Sequence, residues 1–276
     1  MVSVVIPAHN EAKVIGRLLD GLLGEAAPGE FDVVVVANGC TDGTAEVARP
    51  YDVRVLTTPV PSKSAALRMG DEAARGYPRL YVDADIELST AAARALAAAL
   101  AAPDGPLAAA PERGLTLDDR PWPVRAYYAI WTRLPHVRSG LFARGVIAVT
   151  DAGNERIRAL PPAMADDLAA SLAFAPDERV IVTAVHAVIH PPRTLTDLLR
   201  RRVRAQTSVT ELERTTTSAG ERTGLRDLVA IVAREPRLAG AAAVFAAMAV
   251  LARRRAARAI RAGDYTTWLR DESSRN

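Results

Sequence analysis

Cysteine is almost absent from this chain of 276 residues, and aromatic residues make up only 5% of it. The one cysteine, Cys40, excludes an internal disulfide and a cysteine-based zinc cluster. The few aromatic residues, with no recognised binding motif, argue against a nucleic-acid partner. The first residues, MVSVVIPAHNE, lack a basic segment followed by a long apolar one, so we do not expect a signal peptide. A cytoplasmic protein fits these absences.

The net charge of +3 is unevenly distributed along the chain. Residues 193–276 contain 17 arginines and 9 acidic residues, whereas residues 1–192 contain 18 basic and 23 acidic residues, giving +8 and −5. A basic C-terminal third predicts contact with an anionic partner, either the inner face of the membrane or a phosphorylated acceptor. Its apolar stretch 238–252 is shorter than the roughly 20 residues that span a bilayer. A helix packed on the protein is therefore favoured over shallow membrane association.

Apolar runs alternate with helical patterns in the first 90 residues. We predict strands at 2–7, 31–38, 53–58 and 79–85, with helices at 10–23 (capped by Asn10), 42–49 and 62–75. This alternation predicts an α/β fold with a mostly parallel sheet covered on both faces. Beyond residue 90 the pattern predicts strands at 107–111, 145–150 and 179–190, and helices at 91–102, 122–134, 164–174 and from 193 onward, broken by a polar linker at 214–224.

Polar side chains follow three of these strands: His9 to Glu11, Asn38 to Asp42, and the pair Asp83 and Asp85. Ligands of parallel sheets bind beyond the carboxyl ends of the strands, so these side chains are candidates for one site. Residues i and i+2 of an extended segment point to the same side, which would place both carboxylates together. Such a pair suits Mg²⁺ or Mn²⁺, which in turn could hold a diphosphate.

The segments VSVVIPAHNEAKVIGRLL, VVVVANGCTDGTAEVA, PSKSAALRMG and YVDADIEL occur in the order and at the spacing of family 2 glycosyltransferases, which this chain resembles closely over residues 2–90. The resemblance continues more loosely through SGLFARG, ADDLAASL and the arginine-rich helix at 193–204. It implies a GT-A type, Rossmann-like sheet with helices on both faces. Residues 1–192 would be the catalytic domain, with 1–90 for the nucleotide sugar and 91–192 for the acceptor, and 193–276 a basic helical extension.

The resemblance also implies the donor-binding residues. The first loop would flank the nucleotide through Pro7, Ala8 and Glu11, and Asn38 would contact the base, although the family usually has an acid there. Basic groups near the nucleotide or its diphosphate would be Lys63, Arg68, Arg201 and Arg204. Asp85 would be the main ligand of Mn²⁺ or Mg²⁺, with Asp83 bridging ribose and metal and His190 as a further ligand.

Asp167, with Asp166 as the alternate, would be the base that deprotonates the acceptor hydroxyl, because ADD matches the family's acidic pair at a helix start. The expected reaction is inverting transfer of one sugar from a UDP-, GDP- or dTDP-sugar to a small or lipid-linked acceptor. A processive polymerase is disfavoured because RVRAQTS lacks the tryptophan that such enzymes often carry.

Two other classes compete with this interpretation. A nucleotidyltransferase has a related sheet, but it usually carries a glycine-rich loop after the first strand, and IPAHNEA has no glycine. A dehydrogenase fails for the same reason, since no GxGxxG follows that strand. A non-catalytic binding or scaffold protein would be expected to lose acids at 83, 85, 166 and 167, all of which are present. We expect Cys40 to be structural, because no partner base is evident.

Overall fold

The computed structural model describes residues 1–160, 166–215 and 223–261, and leaves out the side chains of residues 166, 208–215 and 259. Seven strands form one sheet: β1 (Val2–Ala8), β2 (Phe31–Asn38), β3 (Arg54–Thr58), β4 (Arg79–Val82), β5 (Ala108–Leu115), β6 (Val146–Val149) and β7 (Arg179–Ile189). Their order across the sheet is β3-β2-β1-β4-β6-β5-β7, and only β6 runs antiparallel to its neighbours. The expected mostly parallel sheet is confirmed.

Helices connect the strands and cover both faces of the sheet. They are α1 (Ile15–Leu23), α2 (Thr44–Ala48), α3 (Lys63–Ala73), α4 (Thr90–Ala99), α5 (Trp122–Trp131), α6 (Pro135–Ser139), α7 (Asp151–Arg158), α8 (Asp166–Leu172), α9 (Leu195–Thr215), α10 (Leu225–Arg234) and α11 (Ala239–Arg261). A short 3₁₀ turn, Pro236–Leu238, precedes α11.

Strand β2 shows why a central strand of this sheet contains a run of four valines. Its residues Val33 and Val35 pack in the core with α1 and α4, whereas Val34 and Val36 pack against Ala66 of α3. Both faces of the strand are therefore buried, as in other parallel sheets covered by helices. Helix α3 lies so close to β1 that a Cβ on Gly70 would collide with the side chain of Val5.

The C-terminal helices form a second core with α5 rather than a separate body. Phe245 of α11 stacks on Tyr127 of α5 with ring centroids 5.0 Å apart. Leu198 of α9 and Ile231 of α10 are buried in the same cluster. The helices of residues 195–261 therefore pack directly against the half of the protein that follows residue 90.

Two local predictions were wrong. Asn10 does not cap α1: its φ is 53°, its Oδ1 accepts a hydrogen bond from the Thr41 amide at 2.7 Å, and the helix begins five residues later. The strand that precedes the acidic pair ends at Val82, so Asp83 and Asp85 lie in a turn rather than on an extended segment. In both places polar residues lie in the loop that connects a strand to the next helix, and the pattern of apolar residues does not predict the conformation of such a loop.

Candidate active site

The turn after β4 carries the two acids with which the site begins. Asp83 accepts a hydrogen bond from Lys63 Nζ at its Oδ1, 2.8 Å away, and its amide donates to the Gly145 carbonyl, also at 2.8 Å. The side chains of this ion pair are both more than one-third exposed, so it lies at the surface of a cleft. An exposed pair of this kind contributes little to stability, which leaves both groups available to a charged ligand.

Helix α3 fixes the position of Lys63. Its first turn is capped by Ser62, whose Oγ accepts from the Ala65 amide at 3.3 Å. Its last turns are anchored to the sheet by Asp71, whose carboxylate pairs with Arg79 of β4 at 2.5 Å and accepts from the Tyr81 hydroxyl at 2.7 Å. Burial, followed by the charge of Asp71, raises the pKa of Tyr81, so this tyrosine stays a proton donor.

The first loop is held by hydrogen bonds between the ends of β1 and β2. The Asn38 side-chain amide donates to the Ala8 carbonyl at 2.8 Å, and the Glu11 amide donates to Thr44 Oγ1 at 2.8 Å. Asn38 and Glu11 are both buried. The carboxylate of Asp42 accepts from the amides of Thr44 and Ala12, so it joins the start of α2 to this loop.

Asp167 lies across the cleft from this acidic turn, in the first turn of α8. Its Oδ2 accepts from the Ala143 amide and its Oδ1 from the Leu168 amide, each at 2.8 Å. Every carboxylate oxygen has a second lone pair, so Asp167 can still accept a proton while these amides orient it. Asp166 begins α8, but its side chain lies outside the described part of the chain.

Two arginines hold the loop that carries Ala143. Arg113 of β5 donates to the carbonyls of Val137, Phe142 and Ala143 at 2.7, 2.7 and 3.0 Å. Arg144 is fully buried and donates to the carbonyls of three other residues, namely Gly140, Pro111 and Arg138. Ala143 itself has a φ of 51°, a left-handed conformation that a residue with a side chain adopts only when its surroundings impose it.

The electrostatics of Arg113 connect this loop to Asp167. Burial, and then the charge of Arg144, lowers the pKa of Arg113 to about 9, and the carboxylates of Glu112 and Asp167 oppose the shift. Sequence reasoning missed Arg113 and Arg144. The available signal for Arg113 was the pair of charged residues in PERGL, which interrupt an otherwise apolar strand; the sequence offers no such signal for Arg144.

Helix α9 brings positive charge to the same acids. Burial and the adjacent charge of Arg201 lower the pKa of Arg204. In the opposite direction, the pKa of Arg204 is raised by three nearby carboxylates, which are those of Asp167, Asp83 and Asp85. Arg204 therefore lies within electrostatic reach of all three predicted acids, although they come from distant parts of the chain.

His190 follows β7 and lies beside the segment after Asp85. Its Nε2 is 2.8 Å from Glu87 Oε1, and its Nδ1 is 3.0 Å from Thr116 Oγ1. Arg17 also contacts Glu87, at 3.3 Å. The histidine is thus oriented by two polar neighbours that the sequence did not single out.

One cleft of about 1200 Å³ collects most of the predicted site residues. Its lining includes Lys63, Asp83, Asp85, Asp167, His190, Arg201 and Arg204. A smaller adjoining cavity of about 170 Å³ is lined by Lys63, Asp83 and Asp167 together with Pro7 and Arg68. Ala8, Glu11 and Asn38 line neither space and instead lie in the hydrogen-bonded first loop.

A short part of this chain is similar in sequence to a glycosyltransferase. A relative from Staphylococcus aureus (strain USA300), 4,4'-diaponeurosporenoate glycosyltransferase, is 44% identical over 54 residues, which are 20% of this chain and 14% of that protein. The match therefore spans about one-seventh of the relative's length.

The solved structures that share the fold include two with bound ligands. The mannosyltransferase PcManGT from Pyrobaculum calidifontis, in complex with GDP-Man and Mn²⁺, is 22% identical, with a TM-score of 0.58 over 95% of this chain and 79% of that one. Glucosyl-3-phosphoglycerate synthase from Mycobacterium tuberculosis, in complex with Mn²⁺, UDP-Glc and phosphoglyceric acid, is 21% identical, with a TM-score of 0.58 over 76% and 79%. The model of glycosyl transferase family 2 matches residues 3–153, more than half of the chain. This chain therefore belongs to glycosyl transferase family 2.

Proposed function

We propose that this protein transfers a single sugar from a nucleotide diphosphate sugar to an acceptor hydroxyl, with inversion and with the help of Mn²⁺ or Mg²⁺. The observation that carries the proposal is the cleft in which Lys63, Arg201 and Arg204 face the three acids. Residues 1–90 would bind the donor and residues 91–192 the acceptor, while 193–276 would contribute the arginines. The UDP- and GDP-sugar complexes of the two structural neighbours support this donor class.

The donor diphosphate is the group that these charges suit. Arginine binds phosphate oxygens through paired N–H groups, and lysine adds a point charge. Arg204 lines the cleft and lies within electrostatic reach of the three acids, so its guanidinium is already beside the position proposed for the diphosphate. Positioned charges of this kind stabilise the negative charge that develops on the leaving diphosphate.

Asp83 and Asp85 fit a divalent cation that binds together with the donor. The described residues include no group of three or more His, Cys, Asp or Glu side chains placed to hold a metal. Two carboxylates are nevertheless sufficient where phosphate oxygens and water complete the coordination, as is usual for Mg²⁺. A bound cation would supply further neutralisation of the diphosphate as it leaves. His190 remains a candidate ligand, but its Nε2 would have to leave Glu87 in order to bind the metal.

Asp167 would act as the base. The acceptor oxygen forms a bond to the anomeric carbon while the bond from that carbon to the diphosphate oxygen breaks. The acceptor proton passes to Asp167, and the diphosphate leaves with the electron pair. The amides of Ala143 and Leu168 keep the carboxylate in place for this transfer. Attack on the face opposite the diphosphate inverts the anomeric configuration.

We further propose that the protein works in the cytoplasm and contacts the inner face of the membrane. Among the described residues one helical stretch, Pro236–Arg258, is long and apolar enough to cross a membrane, and only 17% of it is buried. Its packing on α5 and α9 favours contact with the surface of the bilayer over a span. The acceptor would be a small molecule or a lipid-linked one.

Nucleotide release tests the proposal. Wild-type protein is incubated with UDP-, GDP- and dTDP-sugars, Mn²⁺ and a panel of alcohol acceptors, with and without a chelator, and free nucleoside diphosphate is measured. We expect release from one donor class, loss of release with the chelator, and a fall of about 10²-fold or more in Asp85→Asn. Asp104→Asn, at an exposed acid that does not line the cleft, is the matched control. Formation of nucleoside triphosphate and sugar phosphate on addition of pyrophosphate would instead indicate a nucleotidyltransferase, and no release from any donor would leave a binding protein.

A further inference from the structure

The part of the cleft between α5, α10 and α11, its apolar end, is lined mostly by apolar side chains. Its walls come from three helices: Tyr128 and Trp131 of α5, Leu225 and Leu228 of α10, and Ala246 and Ala249 of α11. A volume of about 1200 Å³ exceeds the range of about 300–1,000 Å³ that is typical for a single small ligand. The cleft therefore has room for a second, apolar substrate group beside the donor.

The apolar wall continues onto the outer surface of the protein. Leu225 lines the cleft and is 78% exposed, and Val229, one turn further along α10, is 60% exposed. On α11, Val250 lines the cleft and its neighbour Leu251 is also exposed. The apolar side chains of α10 and α11 thus form a path from the cleft to the outer surface, with Arg226 and Arg253 beside it.

Positive charge surrounds the outer part of this path. Residues 225–261 contain eight arginines and two acidic residues. Arg226 and the run Arg253 to Arg255 are exposed, and Arg253 also lines the cleft. Exposed arginines of this kind are attracted to an anionic lipid surface. The charge therefore favours an anionic bilayer as the source of an apolar ligand.

We propose that the apolar end of the cleft binds the hydrocarbon tail of an amphiphilic acceptor, which enters from an anionic membrane along α10 and α11. The tail lies against α5, α10 and α11, and the hydroxyl group reaches Asp167. This inference rests on the proposed function, and it narrows the acceptor from any hydroxyl compound to one with a long apolar chain.

Tryptophan substitutions on α11 test the tail site directly. Ala249→Trp fills the apolar end of the cleft, whereas Ala247→Trp places the same side chain on the exposed face of the same helix. The probe is dansyl-labelled undecanoate, whose fluorescence rises in an apolar site. We expect wild type and Ala247→Trp to bind it equally and Ala249→Trp to bind at least about tenfold more weakly, a loss of about 1.4 kcal/mol. Ala246→Trp, one turn earlier, replaces Ala249→Trp if that variant does not fold.

Two further measurements distinguish failure of the tail site from failure of the membrane source and of the proposed function. Phosphatidylglycerol vesicles should sediment with all three proteins, because neither tryptophan substitution removes an arginine. If vesicles of pure phosphatidylcholine bind the proteins as well as phosphatidylglycerol vesicles do, an anionic membrane is not the source of the acceptor. Equal probe binding by Ala249→Trp and Ala247→Trp, or no binding by wild type, would overturn the tail site. Binding of the donor nucleotide with Mn²⁺ should be the same in all three, and its absence from wild type would instead refute the proposed function.

Discussion

Replacing Arg113 by methionine should destabilise the loop that orients Asp167. The guanidinium supplies hydrogen bonds to the carbonyls of Val137, Phe142 and Ala143. Three bonds to a charged donor, at about 1.5 kcal/mol each, total about 4–5 kcal/mol. Water can reach the carbonyls of the half-buried Phe142 and Ala143 once the arginine is gone, so we expect a loss of about 3 kcal/mol.

The same change should slow transfer more than it weakens donor binding. Without Arg113 the Ala143 amide loses its support and Asp167 its orientation, and a displacement of about 1 Å can lower a rate about 10²-fold. Urea unfolding gives the stability, and kcat and KM for the active donor separate the two functional effects. Arg125→Met, an exposed arginine on α5, is the control. An Arg113→Met protein as stable and as active as that control would refute the role of this loop.

Two further predictions concern single acids. Asp167→Asn should lower the transfer rate about 10²–10⁴-fold, because the base is lost. Donor affinity should be unchanged, because the oxygen of the asparagine amide can still accept the hydrogen bond from the Ala143 amide. A transfer rate equal to that of Asp177→Asn, a variant at an exposed acid, would exclude Asp167 as the base. Burial raises the pKa of Asp32, but hydrogen bonds from the Arg75 amide, Ser3 and Arg54 outweigh it, so the pKa is lowered. The stability that this carboxylate contributes is present above its unfolded pKa of about 4 and is lost as the pH falls through the lower folded value, so Asp32→Asn should flatten the acid unfolding curve below pH 4. Unfolding as steep as in the exposed variant Asp52→Asn would contradict this.

The strands of the first 90 residues are largely predictable from their apolar runs. Strands β1 and β2 are buried on both faces, so most of their residues are apolar and each strand ends next to the polar residues of the following loop. Strands β1, β2 and β3 begin and end within one residue of the predicted bounds. The region after residue 90 mixes half-buried strands with short helices, and β5 extends to Leu115 although its apolar pattern stops at Pro111.

The sequence predicted the charged residues that line the cleft, but not the arginines that hold the neighbouring loop in place. Lys63, Asp83 and Asp167 were expected together and do line one cleft. Arg113 and Arg144 escaped notice because they act on backbone carbonyls, and a sequence pattern does not show which carbonyls a loop leaves without a donor. The apolar end of the cleft was missed because it forms only when α5 packs with α10 and α11, which begin more than 90 positions after α5 ends.

The most direct test of donor binding in this cleft is isothermal titration calorimetry with UDP, GDP and dTDP. We predict that one of them binds wild-type protein in the presence of Mn²⁺, that EDTA abolishes binding, and that Asp85→Asn weakens it at least about tenfold, or about 1.4 kcal/mol. Failure of all three nucleotides to bind, or equal affinity in wild type and Asp85→Asn, would contradict the assignment of Lys63, Asp83, Asp85 and Arg204 to a nucleotide sugar site.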